Sequence, residues 1–203
     1  MDESSAEAGS RINSKMVGAS GEFLVCGILA QFRWAAAMTR DGIPMTDVLA
    51  EHADTGRSIS IQVKTTWIRS GSANWQFGLK DIGPAKSQTQ WYVLVKLKSE
   101  EPPAASTFYV VPKDHVAAGV WIVHQNWRTD PAAKPGNRNT DVSRARASEI
   151  VFGKYKDRWD LLHTDANKTP VLLPPEYKDL SKLPRVGLPP DHPWHKGSPK
   201  WQT

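Results

Sequence analysis

The sequence has a single cysteine and lacks any long apolar run. Cys26 is the only cysteine in 203 residues, so an intrachain disulfide and a cysteine-rich zinc site are both excluded. No apolar stretch approaches the roughly 20 residues of a membrane helix. The first residues, MDESSAEAGS, are acidic and polar, the reverse of a signal peptide. We therefore expect a cytoplasmic protein without membrane contact.

Acidic residues are the scarcer charge. The chain has 21 Asp and Glu against 26 Lys and Arg, giving a net charge of +5. This excess permits an anionic partner such as nucleic acid without requiring one. The sequence also lacks a P-loop, a dinucleotide-binding glycine pattern and a G-x-S-x-G elbow, so it gives no support to an NTPase, a dehydrogenase or a serine hydrolase.

Apolar periodicity predicts one α/β domain, with a mixed central β-sheet flanked by helices. Residues 1–12 are predicted to be disordered, 13–163 to form the domain, and 164–203 to be an extended Pro-rich tail. Within the domain, helices are predicted over 13–34 and 113–127, and strands over 45–51, 58–67, 75–79, 91–97 and 107–111.

The stretch SISIQVKTTW, residues 58–67, alternates cleanly between apolar and polar side chains. One face of the predicted strand is apolar, and the other carries Gln62 and Lys64. A hairpin turn near residues 54–56 would bring Asp47 of the preceding strand beside them. Glu22 lies on the first predicted helix, so two carboxylates, an amide and an ammonium could converge.

This set of groups suits a hard divalent cation such as Mg²⁺ or Mn²⁺, which prefers oxygen ligands. We predict that Asp47 binds the metal directly, and that the Gln62 side-chain oxygen and the Val63 carbonyl complete the protein's share. Glu22 would bind through water or hold a second ion. Lys64 is placed to orient or deprotonate an attacking water, or to offset charge in the transition state.

The order of these residues resembles the PD-(D/E)XK nuclease superfamily, whose fold is called restriction-endonuclease-like. The resemblance covers residues 13–112 and rests on Glu22 on a helix, Asp47 on a strand, and Gln62 and Lys64 on the next strand. It implies a mixed sheet flanked by helices and Mg²⁺-dependent phosphodiester hydrolysis. It also implies that Asp47, Gln62 and Lys64 form the catalytic core, with Glu22 as the helical carboxylate.

The sequence departs from the family pattern at two positions. Thr46, not proline, precedes Asp47. Gln62 stands where the family more often has a carboxylate, which resembles the Q-x-K variant of some branches. The missing negative charge should weaken metal affinity.

A second feature is the basic, aromatic region over residues 121–159. Its long loop, 128–148, is rich in Pro, Gly, Asn and Arg, and loops of that length are usually functional or disordered. Interleaved arginine and tryptophan suit phosphate contacts and base stacking, although the same pattern also fits core tryptophans under a solvated surface. The candidate nucleic-acid-binding residues are Arg128, Lys134, Arg138, Arg144 and Arg146.

These features predict a metal-dependent endonuclease that acts on DNA, in repair, recombination or defence. The alternative is a catalytically inactive nucleic-acid-binding or adaptor protein on a nuclease scaffold. A homodimer is compatible with the sequence, and so is a protein partner that docks on the C-terminal tail. The sequence leaves open DNA against RNA, and single against double strands.

Overall fold

A computed structural model of the protein describes residues 13–40, 44–134 and 136–202, and the predicted disordered segment 1–12 lies outside them. The described part is a mixed α/β structure, which confirms the predicted class. The α-helices are α1 (Ser14–Gln31), α2 (Leu79–Ile82), α3 (Lys113–Arg128) and α4 (Glu176–Leu180). The strands are β1 (Trp34–Met38), β2 (Val48–His52), β3 (Ser58–Ile68), β4 (Asn74–Gln76), β5 (Gln90–Lys98), β6 (Ala105–Pro112) and β7 (Arg146–Ser148).

Five strands form one mixed sheet in the order β1-β2-β3-β5-β6. The first three pair antiparallel as a meander, β5 runs parallel to β3, and β6 returns antiparallel to β5. A parallel neighbour requires a crossover connection, which here contains β4 and α2. Strand β4 pairs with β7 in a separate two-stranded sheet, so the crossover is tied to the later part of the chain.

Strand β3 has the predicted alternation, because Ile59, Ile61 and Val63 are buried while Gln62 and Lys64 are only half-buried. Helix α1 packs on the apolar face, and its Gly21 lies so close to Thr65 that a Cβ there would collide with the threonine hydroxyl. β5 is an interior strand of the sheet, with five consecutive buried residues from Trp91 to Val95, as expected for a strand covered on both faces.

The predicted elements differ from the structure at two places. The first helix ends at Gln31, and Trp34–Met38 is a strand although its sequence, WAAAM, is rich in the best helix former. Pairing with β2 overrides that preference. The predicted strand over 75–79 is divided into β4 and the single turn of α2. Among the described helices, none combines the length and apolar content needed to cross a membrane.

The segment predicted to be an extended tail is packed onto the domain over its described part. Val171 and Leu173 are fully buried members of the core. The Trp194 ring lies 5.1 Å from that of His115 on α3, and the Trp121 indole donates a hydrogen bond to the Val186 carbonyl. Short 3₁₀ turns and irregular backbone bury these apolar residues without helical or strand periodicity, which is why the sequence pattern suggested a tail.

Candidate functional site

A cleft of about 550 Å³ opens beside the start of β2 and the middle of β3, where the crossover turns into α2. Three of the residues predicted from the sequence, Asp47, Gln62 and Lys64, line this cleft together. The opposite wall comes from residues 78–81, and Ser143 closes one side. The antiparallel register of β2 and β3 brings the three predicted side chains to one face of the sheet, because residues two apart on a strand share a face.

Asp47 is fixed by its backbone and its side chain. Its N–H donates to the Ile61 carbonyl at 2.8 Å, which extends the β2–β3 pairing by one residue. Its Oδ2 accepts the Val63 N–H at 2.7 Å and also accepts the Gln62 amide. Burial raises the pKa of Asp47, and the nearby Asp81 carboxylate adds to the effect, although the Val63 N–H and Lys64 oppose it. The carboxylate is therefore held in a position that disfavours its charge.

Lys64 forms an ion pair with Asp81 on α2, with 3.1 Å between Nζ and Oδ2. The same Oδ2 accepts the Gly78 N–H at 2.7 Å, and Oδ1 accepts the Tyr92 hydroxyl at 2.6 Å. Burial, followed by the Asp81 charge, raises the pKa of Tyr92, so the phenol stays protonated and acts as a donor. The Lys64 ammonium also lies over the Phe77 ring, 5.3 Å from its centroid. These contacts fix the lysine at the cleft.

The sequence prediction missed Asp81 and Tyr92. Asp81 lies just after the segment 75–79 that was predicted to be a strand, and its burial depends on the turn of α2. Tyr92 lies within the buried run 91–95 of β5, and a buried tyrosine usually needs a hydrogen-bond partner. That was the available signal, but the partner depends on the parallel register in which Tyr92 lies opposite Gln62.

Glu22 does not line the cleft. It follows Gly21, which packs against Thr65, and Thr65 lies on the face of β3 opposite that of Gln62 and Lys64. Within the described residues, the structure therefore brings together three of the four predicted catalytic residues. A role for Glu22 in metal binding stays a prediction.

The oxygen atoms around Asp47 match the chemistry of a magnesium site. A carboxylate, the Gln62 amide oxygen and the Val63 carbonyl are all hard ligands, and Mg²⁺ keeps waters and substrate phosphate in its other positions. Within residues 13–40, 44–134 and 136–202, no group of three or more His, Cys, Asp or Glu is arranged to hold a metal ion.

The five predicted nucleic-acid-binding residues divide into two kinds. Arg128 donates to Gln125, and Arg138 bonds both the Trp127 carbonyl and Asp130. Both guanidinium groups therefore already form hydrogen bonds within the protein. Arg128 is nevertheless exposed, as are Lys134, Arg144 and Arg146, whereas Arg138 is half-buried.

Comparison with protein-family models, with curated proteins and with solved structures finds no match to this chain. The identity of the site therefore rests on the cleft itself, where Asp47, Gln62 and Lys64 meet Asp81.

Proposed function

We propose that the protein is a metal-dependent nuclease of the PD-(D/E)XK type that hydrolyses phosphodiester bonds of DNA. The observation that carries this proposal is the meeting of Asp47, Gln62 and Lys64 in one cleft. They come from β3 and from the residue before β2, as the resemblance requires. The mixed sheet with helices packed against it also agrees with the restriction-endonuclease-like core that the resemblance implies.

Asp47 and Gln62 would hold Mg²⁺ or Mn²⁺ in this cleft, together with the Val63 carbonyl. The bound ion supplies Lewis acidity at the scissile phosphate and a template for the attacking water. Asp47 is preorganised for this task, because the Val63 N–H fixes one carboxylate oxygen at 2.7 Å. Glu22 is retained in the proposal as the helical carboxylate.

Lys64 is the residue proposed to act on the reacting groups. Its ammonium orients the attacking water, or offsets the negative charge that builds on the phosphate in the transition state. Asp81 holds Nζ at 3.1 Å, and Tyr92 holds Asp81 in turn. We assign Asp81 and Tyr92 as positioning residues, because each acts through its contact with another side chain.

A cleavage assay tests the proposal. Plasmid DNA and labelled single-stranded DNA are incubated with Mg²⁺, Mn²⁺ or EDTA, using wild type and Asp47→Asn. We expect metal-dependent cutting that falls about 10²- to 10³-fold in the variant, the scale of losing one preorganised charge-stabilising group. Asp157→Asn is the matched control, because Asp157 is exposed and its φ of 53° suits asparagine. Cutting that survives both EDTA and Asp47→Asn would contradict the proposal.

One observation favours the alternative of a catalytically inactive nucleic-acid-binding or adaptor protein. Gln62 donates its amide to Asp47, and Asp81 pairs with Lys64, so the groups of the cleft are already satisfied by one another. In that case the protein would bind DNA in EDTA and cut no substrate with either metal. Roles in repair, recombination or defence are compatible with both functions.

A further inference from the structure

A second cavity, of about 430 Å³, lies next to the candidate cleft. Its volume falls in the range of small-ligand sites. Side chains of α3 and of the loop that follows it form the lining, which consists of Val123, His124, Trp127, Thr140, Arg144 and Arg146.

The two cavities share a wall. This wall is the short 3₁₀ helix Val142–Arg144, in which Ser143 lines the cleft and Arg144 lines the second cavity. The wall is tied to the crossover, because the Phe77 N–H donates to the Ala145 carbonyl at 2.9 Å. A polymer lying in the cleft therefore needs to pass over only one short turn to reach the second cavity.

The cavity carries positive charge at two of its lining residues. Arg144 and Arg146 are exposed, and in the described part of the chain no carboxylate forms a salt bridge with either of them. Arg138, by contrast, is paired with Asp130 at 2.8 Å. Two free guanidinium groups at the edge of a cavity favour an anionic ligand, and phosphate is the anion that arginine binds bidentately.

The lining between these arginines is aromatic and apolar. Trp127 is 40% exposed, and Arg138 lies over its ring at 5.8 Å from the centroid, which fixes the indole. The His124 ring is 5.8 Å from Trp127, and it is bonded through Nε2 to the Thr140 carbonyl. Burial lowers the pKa of His124, so the histidine is neutral at neutral pH and the arginines supply the charge.

We propose that this cavity binds one unpaired base of a nucleic-acid strand, with the adjoining phosphates on Arg144 and Arg146. The cavity is too small for a base pair with its two backbones, whereas an aromatic platform beside cations is the usual means of binding single strands. Resting on the proposed function, this assigns single-stranded or locally unpaired DNA as the substrate of the neighbouring cleft.

Binding in EDTA tests the cavity separately from cleavage. The probe is a fluorescein-labelled oligothymidylate, compared with a duplex of the same length, and binding is followed by fluorescence anisotropy. We expect Trp127→Ala to weaken single-strand binding about tenfold or more, as for loss of one stacked base, and to affect duplex binding much less. Trp127→Phe should retain most of the affinity.

The arginines should respond differently to salt. Arg144→Ala combined with Arg146→Ala should weaken binding and reduce the slope of log affinity against log salt by about 1.4, the value for two phosphate contacts on a single strand. Trp127→Ala should leave that slope unchanged. Lys182→Ala is the control, because Lys182 is exposed and lines a different cavity.

Wild-type affinity in Trp127→Ala, or an equal loss on single strand and duplex, would overturn the base-binding proposal. Thermal unfolding of each variant shows whether a loss of binding affinity is due to misfolding. If Trp127→Ala misfolds, the affinity of Trp127→Phe tests the proposal instead. The two proposals can fail independently. If Trp127→Ala selectively loses single-strand binding but the wild type does not cleave with any metal, the nuclease proposal fails and the base-binding proposal stands. If the wild type cleaves with a metal but Trp127→Ala binds DNA as the wild type does, the base-binding proposal fails and the nuclease proposal stands.

Discussion

Two clusters in this protein are built from the same four kinds of group: a carboxylate, a lysine ammonium, a tyrosine hydroxyl and a backbone N–H. The Asp81 cluster consists of Asp81, Lys64, Tyr92 and the Gly78 N–H. The Glu149 cluster consists of Glu149, Lys96, Tyr109 and the Ala73 N–H. In each cluster the lysine comes from a central strand of the sheet, and the carboxylate comes from outside that sheet.

The clusters differ in what lies beside them. The Asp81 cluster borders a cleft that contains a second carboxylate, Asp47, whose pKa is raised mainly by burial. In the Glu149 cluster, burial also acts to raise the pKa of Glu149, but hydrogen bonds from Lys96, Tyr109 and the Ala73 N–H outweigh it, and the pKa is lowered. A satisfied ion cluster holds the fold together. A second carboxylate in an unfavourable position beside a cleft is what marks a candidate site.

The largest difference is expected in catalysis, from the isosteric pair Asp81→Asn and Glu149→Gln. Asp81→Asn removes the charge that positions Lys64, and loss of such a supporting contact typically costs about 10- to 100-fold. We expect kcat of DNA cleavage to fall by that factor with DNA affinity unchanged. Glu149→Gln should leave kcat at the wild-type value. Equal losses in the two variants would show that the clusters have the same role.

Stability should fall more for a change in the Glu149 cluster than for a change at Asp47 in the cleft. Glu149→Ala leaves the Lys96 ammonium, the Tyr109 hydroxyl and the Ala73 N–H without their acceptor, and an unsatisfied buried polar group costs about 1–3 kcal/mol. We expect urea unfolding to show a loss of that size. Asp47→Asn, in contrast, removes a charge that its surroundings disfavour. Its free energy of unfolding at pH 7 should equal or exceed that of wild type, and a loss comparable with that of Glu149→Ala would contradict the distinction.

Adding charge to the cleft should increase metal affinity. Gln62→Glu places a second carboxylate beside Asp47 at the position where the family more often has one. Because affinity for a hard cation rises with ligand charge, we expect Mn²⁺ to bind about tenfold more tightly by calorimetry. Gln88→Glu adds the same charge on an exposed loop residue and should have no effect. Equal Mn²⁺ affinity in wild type and Gln62→Glu would place the metal elsewhere.

The smallest effects are expected in the pH dependence of stability, and their signs are opposite. The raised pKa of Asp47 means that its contribution to stability is present below the unfolded-state pKa and is lost as pH rises through the folded-state value. The lowered pKa of Glu149 means that its contribution is present above the unfolded-state pKa and is lost as pH falls through the folded-state value.

Melting temperatures across acidic pH distinguish these signs. As pH falls, wild type should gain stability relative to Asp47→Asn and lose stability relative to Glu149→Gln. Parallel curves for the two variants would mean that the two carboxylates have similar surroundings.

The parts of the site that the sequence predicted depend on local pattern. The alternation of β3 shows Gln62 and Lys64 on one face, and the hairpin with β2 adds Asp47 because the two strands are close in sequence. Asp81 and Tyr92 were missed because their places depend on the crossover and on the β3–β5 register. No local pattern in the sequence specifies that register.

Prediction of the fold from local sequence pattern has the same limit. Four strands of the five-stranded sheet, β2, β3, β5 and β6, have strong apolar patterns and were predicted close to their observed bounds. The fifth, β1, is an alanine-rich segment whose strand state depends on pairing with β2. Residues 164–202 lack periodicity, yet Val171 and Leu173 are buried against the domain. Burial of irregular segments depends on the surface available to them, and periodicity carries no information about that surface.

The most direct test of the account is a paired cleavage assay of Lys64→Ala and Lys96→Ala. Both variants remove one lysine from an ion cluster on an interior strand of the sheet, so each disrupts one ion pair. With Mg²⁺ or Mn²⁺, and with rates expressed per folded molecule, Lys64→Ala should lose about 10²-fold or more of the wild-type activity, while Lys96→Ala keeps it. Equal activity in the two variants, whether both cut DNA or neither does, would contradict the assignment of the Lys64 cleft as the catalytic site.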